Sequence, residues 1–377
     1  MAASLKFIAG YAAFARSSRY VRDLSGFLLA AIVDSIRVTI ARLDPRLYRQ
    51  DLRVRNVAEG CAVKDTTKFA LLVIYAPCRL PQFTMNLAAA VIRASFNLII
   101  VTNAPLDPDT KAEFLRNCCL LIERINIGRD FGAYKDGISI TLERFPDIER
   151  LIIANDSVMC LEKRIDALLA RLDSDNEFIG VSESFEHYYH VASFMLSFGP
   201  RIIRDPEFRK FWNHYLPIST RMWAIVKGEG MLTRRLTEAG YQPYILFKAQ
   251  DLLQKLQELT IPQRNEALGL FPKEFRNAVA DAVNDPSGRN FTSAMMDEIQ
   301  RRNQMHVAGF AFMKFLGMPL FKRDIIYRNV YTVAEARQIL ADLGMSSQKE
   351  ILAELERRRP PQSANRLARL LHKHGFR

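Results

Sequence analysis

The sequence predicts a doubly wound, mostly parallel α/β sheet with helices flanking it at both ends. Two observations predict it. Phe69–Tyr75 is an unbroken apolar run of strand length, the pattern of a strand buried on both faces, and three more runs of strand length follow it. Segments of helical periodicity separate them, giving the order β-α-β-α-β-α-β over residues 69–154. The 377 residues are 49% apolar and 25% charged, ordinary proportions for a globular chain of roughly two or three domains.

Residues 1–60 read as two or three helices. Leu28, Ile32, Ile36, Ile40 and Leu43 fall on one face of a 3.6-residue period, with Arg37 and Arg42 elsewhere on the wheel. That face suits either an arm packed on protein or a helix lying on a membrane. The first strand is Phe69-Ala-Leu-Leu-Val-Ile-Tyr75. A helix follows, opened by Pro81 and carried by Leu87, Ala90, Val91 and Ala94. The strand Leu98–Thr102 ends at Asn103-Ala-Pro105, and Pro108 starts a helix over 108–119. Leu120–Ile125 is the third strand, 132–143 a helix, and Leu151–Ala154 the fourth strand. Beyond it, 178–181, 190–198 and 244–247 read as strands, and 205–216 and 229–240 as helices, the second stopped by Gly240. Residues 251–345 are mostly helical. The division expected is an arm over 1–65, a sheet domain over 66–250, a helical part packing on it over 251–345, and a tail over 346–377.

The net charge of +12 sits at the ends. Residues 1–60 carry ten basic and five acidic side chains, and 357–377 carry seven basic and none acidic, so 61–356 are net neutral. A nucleic-acid reader has a basic folded face; basic ends suit an anionic membrane surface, so no nucleic-acid partner is expected. No uncharged apolar run reaches the ~20 residues needed to span a bilayer. Residues 7–15 imitate a signal-peptide core, but Lys6 is its only basic lead-in. Five cysteines without C-x-x-C spacing, Cys61, Cys78, Cys118, Cys119 and Cys160, indicate reduced thiols of a cytoplasmic protein rather than a disulfide framework or zinc site.

The common nucleotide-loop, metalloprotease and esterase signatures are absent. Ligands of such sheets sit outside the carboxyl ends of the strands, so the polar groups there matter most. Asn155-Asp156-Ser157 follows a buried strand; an Asp at that place can hold a divalent cation on a diphosphate, and the same triplet also makes turns. Gly128-Arg129-Asp130-Phe131-Gly132, with Tyr134, Lys135 and Asp136 behind it, offers a cation and a carboxylate between glycines that allow close approach, or a structural ion pair. Ser182–His187 and His190–Met195 gather carboxylates, imidazoles and hydroxyls suited to a polyol, or decorate the surface. Lys227-Gly228-Glu229-Gly230-Met231 places Glu229 at an expected helix start, where the dipole favours an ionised carboxylate; it is a cap or a general base.

Together these segments resemble the rhamnan synthesis protein F family of bacterial polysaccharide biosynthesis, over roughly 66–330. The matching pieces are Asn126–Gly132, Ala154–Ser157, Ser184–Phe194 with His190 and Ser193, Gly228–Leu236 with Ala239-Gly-Tyr241, and Met318–Ile326. Glu183 stands where the family carries Asp, and Ala192 where it carries Gln, which leaves sugar and acceptor open.

The resemblance implies a GT-A-like glycosyltransferase that moves rhamnose or a similar deoxyhexose from a nucleotide donor, dTDP-rhamnose favoured, to a lipid-linked or polysaccharide acceptor. On that reading Tyr75, Ala76, Pro77 and Asn103 would receive the nucleotide. Asp156 would hold Mg²⁺ or Mn²⁺ on the diphosphate, and Arg129 or Lys135 would add positive charge as the leaving group forms. Asp130, Asn155, Ser157 and His190 would complete the donor site. Glu229 is the first choice for the base of an inverting transfer and Glu183 the second. The protein would sit peripherally on the inner face of the cytoplasmic membrane. Two other readings are a sugar nucleotidyltransferase, against which Tyr75–Arg79 lacks a glycine-rich loop, and a non-catalytic assembly protein with the same fold.

Overall fold

The computed structural model describes residues 24–75, 80–186, 188–326, 328, 330–344 and 348–357. Ala76, Pro77, Cys78, His187, the signal-like stretch 7–15 and nearly all of the basic tail lie outside the described residues.

The strands in chain order are β1 (Val54–Glu59), β2 (Lys68–Ile74), β3 (Asn97–Thr102), β4 (Leu120–Arg124), β5 (Arg150–Asn155), β6 (Val158–Cys160), β7 (Phe178–Gly180), β8 (Glu183–Ser184), β9 (His190–Val191), β10 (Met195–Phe198), β11 (Tyr244–Ile245) and β12 (Leu320–Lys322). Eight form one sheet in the order β1-β4-β3-β2-β5-β10-β7-β11. Only β1 and β10 run against their neighbours, so the sheet is the mostly parallel α/β architecture expected. The apolar run Phe69–Ile74 divides by alternation. Ala70, Leu72 and Ile74 meet the helices Gln82–Arg93 and Glu162–Leu172 and the C-terminal helices. Phe69, Leu71 and Val73 meet the helices Arg129–Arg144, Pro206–His214 and Met231–Glu238. Helices thus cover both faces, which is why these strands carry no polar side.

The chain leaves β2 for β3 and β4 on one side and returns to β5 on the other. The carboxyl ends of β2 and β5 therefore flank the point where strand order reverses. There the Tyr75 N–H donates to Asp156 Oδ2 at 3.2 Å, and the Asp156 N–H to the Val73 carbonyl at 3.1 Å. A ligand crevice opens at such a point on geometric grounds alone.

Two sequence expectations are corrected, and the early helix shows which way its apolar face turns. Residues 54–59 form an edge strand against β4, not part of a helix. A register shift between Val54 and Asn56 brings Val54 and Val57, three apart, onto the same core, a spacing that mimics a helix. The single strand expected over 190–198 is two, with Ala192–Phe194 turning between β9 and β10. The helix Leu24–Ala41 packs through Ala31, Asp34 and Val38, while Ile32, Ile36, Ile40 and Leu43 are 52%, 53%, 63% and 83% exposed. Its apolar stripe faces outward, and the side chain of Leu28 lies outside those described. The helices after Lys248 share one continuous core with the sheet.

Candidate functional site

The cleft at the carboxyl ends of the strands is assembled from five stretches of chain. β5 contributes Asn155 and the following turn Ser157, whose N–H donates to Asn155 Oδ1 at 3.0 Å. β10 runs antiparallel to β5, pairing Met195 with Ala154, so Ser193 and Phe194 stand beside Asn155; its N–H donates to the Phe194 carbonyl at 3.1 Å. The loop after β4 contributes Arg129 and Asp130. The helical segment 221–230 contributes Arg221 and Glu229, and the C-terminal part contributes Asn303, His306, Lys322, Asp324 and Arg328.

Arg129 has φ 54°, next to Gly128 at φ 79°. Left-handed backbone at a non-glycine residue costs on the order of 1 kcal/mol or more. The helix Arg129–Arg144 starts at this point, and the bend aims both Arg129 and Asp130 into the cleft. Burial, with the Asp156 charge nearby, pushes the Asp130 carboxyl up to about 6.

Glu229 lies in a π-helical turn, Ala224–Gly230, that continues without a break into the helix Met231–Glu238. The expectation of a helix start is therefore wrong, and no N-terminal dipole acts on this carboxylate. The wider turn displaces Glu229 from the regular ladder, as such turns often do at functional sites. A Cβ on Gly228 would lie 2.9 Å from the Phe131 ring, and one on Gly230 2.1 Å from the Tyr188 ring, so only glycines fit on either side of Glu229. The Ser193 N–H and hydroxyl donate to Glu229 Oε1 at 2.9 and 2.7 Å. His190 Nε2 stands 3.5 Å from Oε2, its Nδ1 engaged with the Tyr188 carbonyl at 2.9 Å.

Among the described residues, four cations share the space: Arg129, Arg221, Lys322 and Arg328. Burial lowers the Arg221 and Lys322 pKa values. Burial would raise the Asp324 carboxyl, but His306, Arg328 and Lys322 outweigh it and hold it well below the usual carboxylate range. Asp324 accepts from His306 Nε2 at 2.8 Å and pairs with Arg328. The Asn303 side-chain oxygen at the cleft wall accepts no hydrogen bond among the described residues. Such a set can bind an anion and take a proton from a neighbouring hydroxyl.

Residues 98–307 match the family described as rhamnan synthesis protein F. The chain belongs to that family. Its name ties the family to the synthesis of rhamnan polysaccharide. The chain is also 26% identical over 197 residues to an uncharacterized protein, y4gN, of Sinorhizobium fredii (strain NBRC 101917 / NGR234). The match covers 51% of this chain and 51% of that protein, so the chain spans about half the length of the curated relative it matches. The rhamnan synthesis match includes Arg129, Asp130, Asn155, Ser157, Arg221, Glu229, Asn303 and His306, and stops before Lys322, Asp324 and Arg328.

Of the residues expected in the site, the structure brings together Arg129, Asp130, Asn155, Ser157 and Glu229, with His190 against Glu229. Others do different work. Lys135 Nζ donates to the carbonyls of Trp212, Asn213 and Tyr215 at 2.8, 2.8 and 2.9 Å, closing the helix Pro206–His214 away from the cleft. Asn103 is 4% exposed and accepts from Arg124. Glu183 in β8 does not line the cleft, and burial raises its carboxyl. Tyr75 contributes its backbone to Asp156. Sequence reasoning missed Arg221, Asn303, His306, Lys322, Asp324 and Arg328. Only the stretch Met318–Ile326 had signalled any of them.

Asp156 was the expected metal ligand. Its carboxylate instead meets Arg323 Nη1 at 2.9 Å and the Tyr75 N–H, at 8% exposure. Arg323 continues to Glu354 at 2.5 Å. Among the described residues no group of three His, Cys, Asp or Glu side chains is placed to hold a metal ion. The Asp156 carboxylate is thus engaged by a guanidinium. Four cysteines expected as thiols are free; burial pushes Cys118 to about 11 and Cys119 and Cys160 to about 12.

Proposed function

We propose that this protein is a glycosyltransferase of rhamnan-type polysaccharide synthesis, moving rhamnose or a similar deoxyhexose from a nucleotide donor such as dTDP-rhamnose to a lipid-linked or polysaccharide acceptor. The observation that carries this reading is Glu229, a carboxylate held by Ser193 and His190 in a cleft that Arg129, Arg221 and Lys322 also line. In a single inverting displacement the acceptor hydroxyl oxygen attacks the sugar C1. The bond from C1 to the phosphate oxygen breaks, and its electron pair leaves with the nucleoside diphosphate. The acceptor proton passes to Glu229, a general base within reach of the reacting hydroxyl. Arg129 and the other cations stabilise the charge that grows on the departing diphosphate.

The outward stripe of the helix Leu24–Ala41 supports a second part of the reading, peripheral attachment to the anionic inner face of the cytoplasmic membrane. No helix among the described residues is long and apolar enough to cross one. The burial of Asp156 against Arg323 favours the rival reading, a non-catalytic assembly protein. A panel of nucleotide sugars, assayed for release of free nucleoside diphosphate with membrane-extracted acceptor, separates the two. Release from one donor supports transfer, and silence across the panel supports assembly.

A further inference from the structure

The proposed reaction turns the dianionic diphosphate of the donor into a trianionic leaving group in the cleft, and a divalent cation is the usual way to neutralise it. The residues here are arranged differently. The turn that should carry a metal ligand has its only carboxylate, Asp156, turned to Arg323. In the place beside it stands an ammonium. β12 pairs with β6 so that Lys322 lies opposite Val158. This sets Lys322 Nζ 3.4 Å from the Ser157 hydroxyl and 4.8 Å over the centre of the Phe194 ring. The ring and the strand pairing hold the lysine in one position, with its charge at the end of β5 where strand order reverses. Asp130, Glu229 and Asp324 surround it electrostatically. Arg129, Arg221 and Arg328 complete a cationic wall in the same cleft.

Resting on the transferase reading above, we propose that the Lys322 ammonium takes the place of a divalent cation on the donor diphosphate, so that this protein binds and uses a nucleoside-diphosphate donor without metal. As the C1–O bond breaks, the electron pair stays on the phosphate oxygen and Lys322 compensates the added charge. No proton need move to that oxygen. The match to the rhamnan synthesis family ends at residue 307, so the assignment of Lys322 rests on its own geometry. Lysine is suited to this as a compact charge with three rotatable donors.

The test is calorimetric titration of the full-length protein with UDP, GDP and dTDP, in EDTA and again in Mn²⁺. The expected result is binding of one nucleotide with the same affinity in both buffers. Lys322→Met should weaken that affinity in EDTA by about tenfold or more, the scale of losing one charge-assisted contact. Lys322→Arg, which keeps the charge, should retain most of it and controls for folding. Lys314→Met, which removes an exposed lysine paired with Glu266 and absent from the cleft lining, should bind as wild type. Binding that appears only with Mn²⁺ overturns this inference and leaves the transferase reading standing. Wild-type affinity of Lys322→Met in EDTA overturns it likewise. Binding of none of the three nucleotides in either buffer overturns the transferase reading and the inference together.

Discussion

Asp130 shows how the cleft trades stability for chemistry. Burial and the neighbouring Asp156 move its carboxyl from 3.8 to about 6. An acid raised on folding binds its proton more tightly in the native state, so native stability falls as pH climbs between those two values. Asp130→Asn removes that dependence. Denaturant midpoints measured from pH 4 to pH 8 should show the variant gaining on wild type as pH rises toward ~6 and levelling off above it; parallel curves would contradict the assignment. Single residues were only partly legible in the sequence. Arg129, Asp130, Asn155 and Ser157 were readable because strand ends mark the ligand side of such sheets. Glu229 was named on the wrong grounds, since a π-helical turn leaves no sequence period to read. Lys135 and Asn103 were misread because a polar residue after a strand looks the same whether it faces a ligand or closes a helix end.

At the scale of elements, one buried ion cluster fastens the edge strand to the body. Asp136 on the helix Arg129–Arg144 accepts from Arg53 Nη2 at 2.6 Å and Arg124 Nε at 2.9 Å, all three within 1% of full burial by side chain. Arg53 adjoins β1 and Arg124 ends β4. Asp136→Asn leaves two guanidiniums buried without their counter-charge, a loss of about 3–5 kcal/mol. Chemical denaturation should show that loss; a change under about 1 kcal/mol would mean water or a neighbour takes over the role. The four long strands were legible as apolar runs, and two of the helices between them by their proline starts, Pro81 and Pro108. β1, β6 and β12 were not. The bulge hides the period of β1, and the pairing of β12 with β6 joins segments some 160 residues apart, with three residues in each strand. Lys322, Asp324 and Arg328 reach the cleft only through that pairing.

For the molecule as a whole, the outward stripe Ile32, Ile36, Ile40 and Leu43 lies near the exposed Arg46 and Arg49. Apolar side chains in this setting favour a lipid interface, and nearby cations add salt-sensitive attraction to anionic lipid. The full chain carrying Ile32→Ser, Ile36→Ser and Ile40→Ser should bind phosphatidylglycerol-containing vesicles at least about tenfold more weakly, from the apolar area withdrawn. Wild-type binding should itself weaken with salt. Equal binding by wild type and the triple variant would remove the stripe from any membrane role.

The central claim is that the cleft around Glu229 transfers a sugar. The most direct measurement compares Glu229→Gln with wild type in the same donor-to-acceptor assay, with nucleotide affinity followed in parallel. Loss of the positioned base should cut turnover by about a hundredfold or more. Donor affinity should hardly change, because the base meets the acceptor hydroxyl and the cations meet the diphosphate. Near-normal turnover in Glu229→Gln, with donor still bound, would contradict the account.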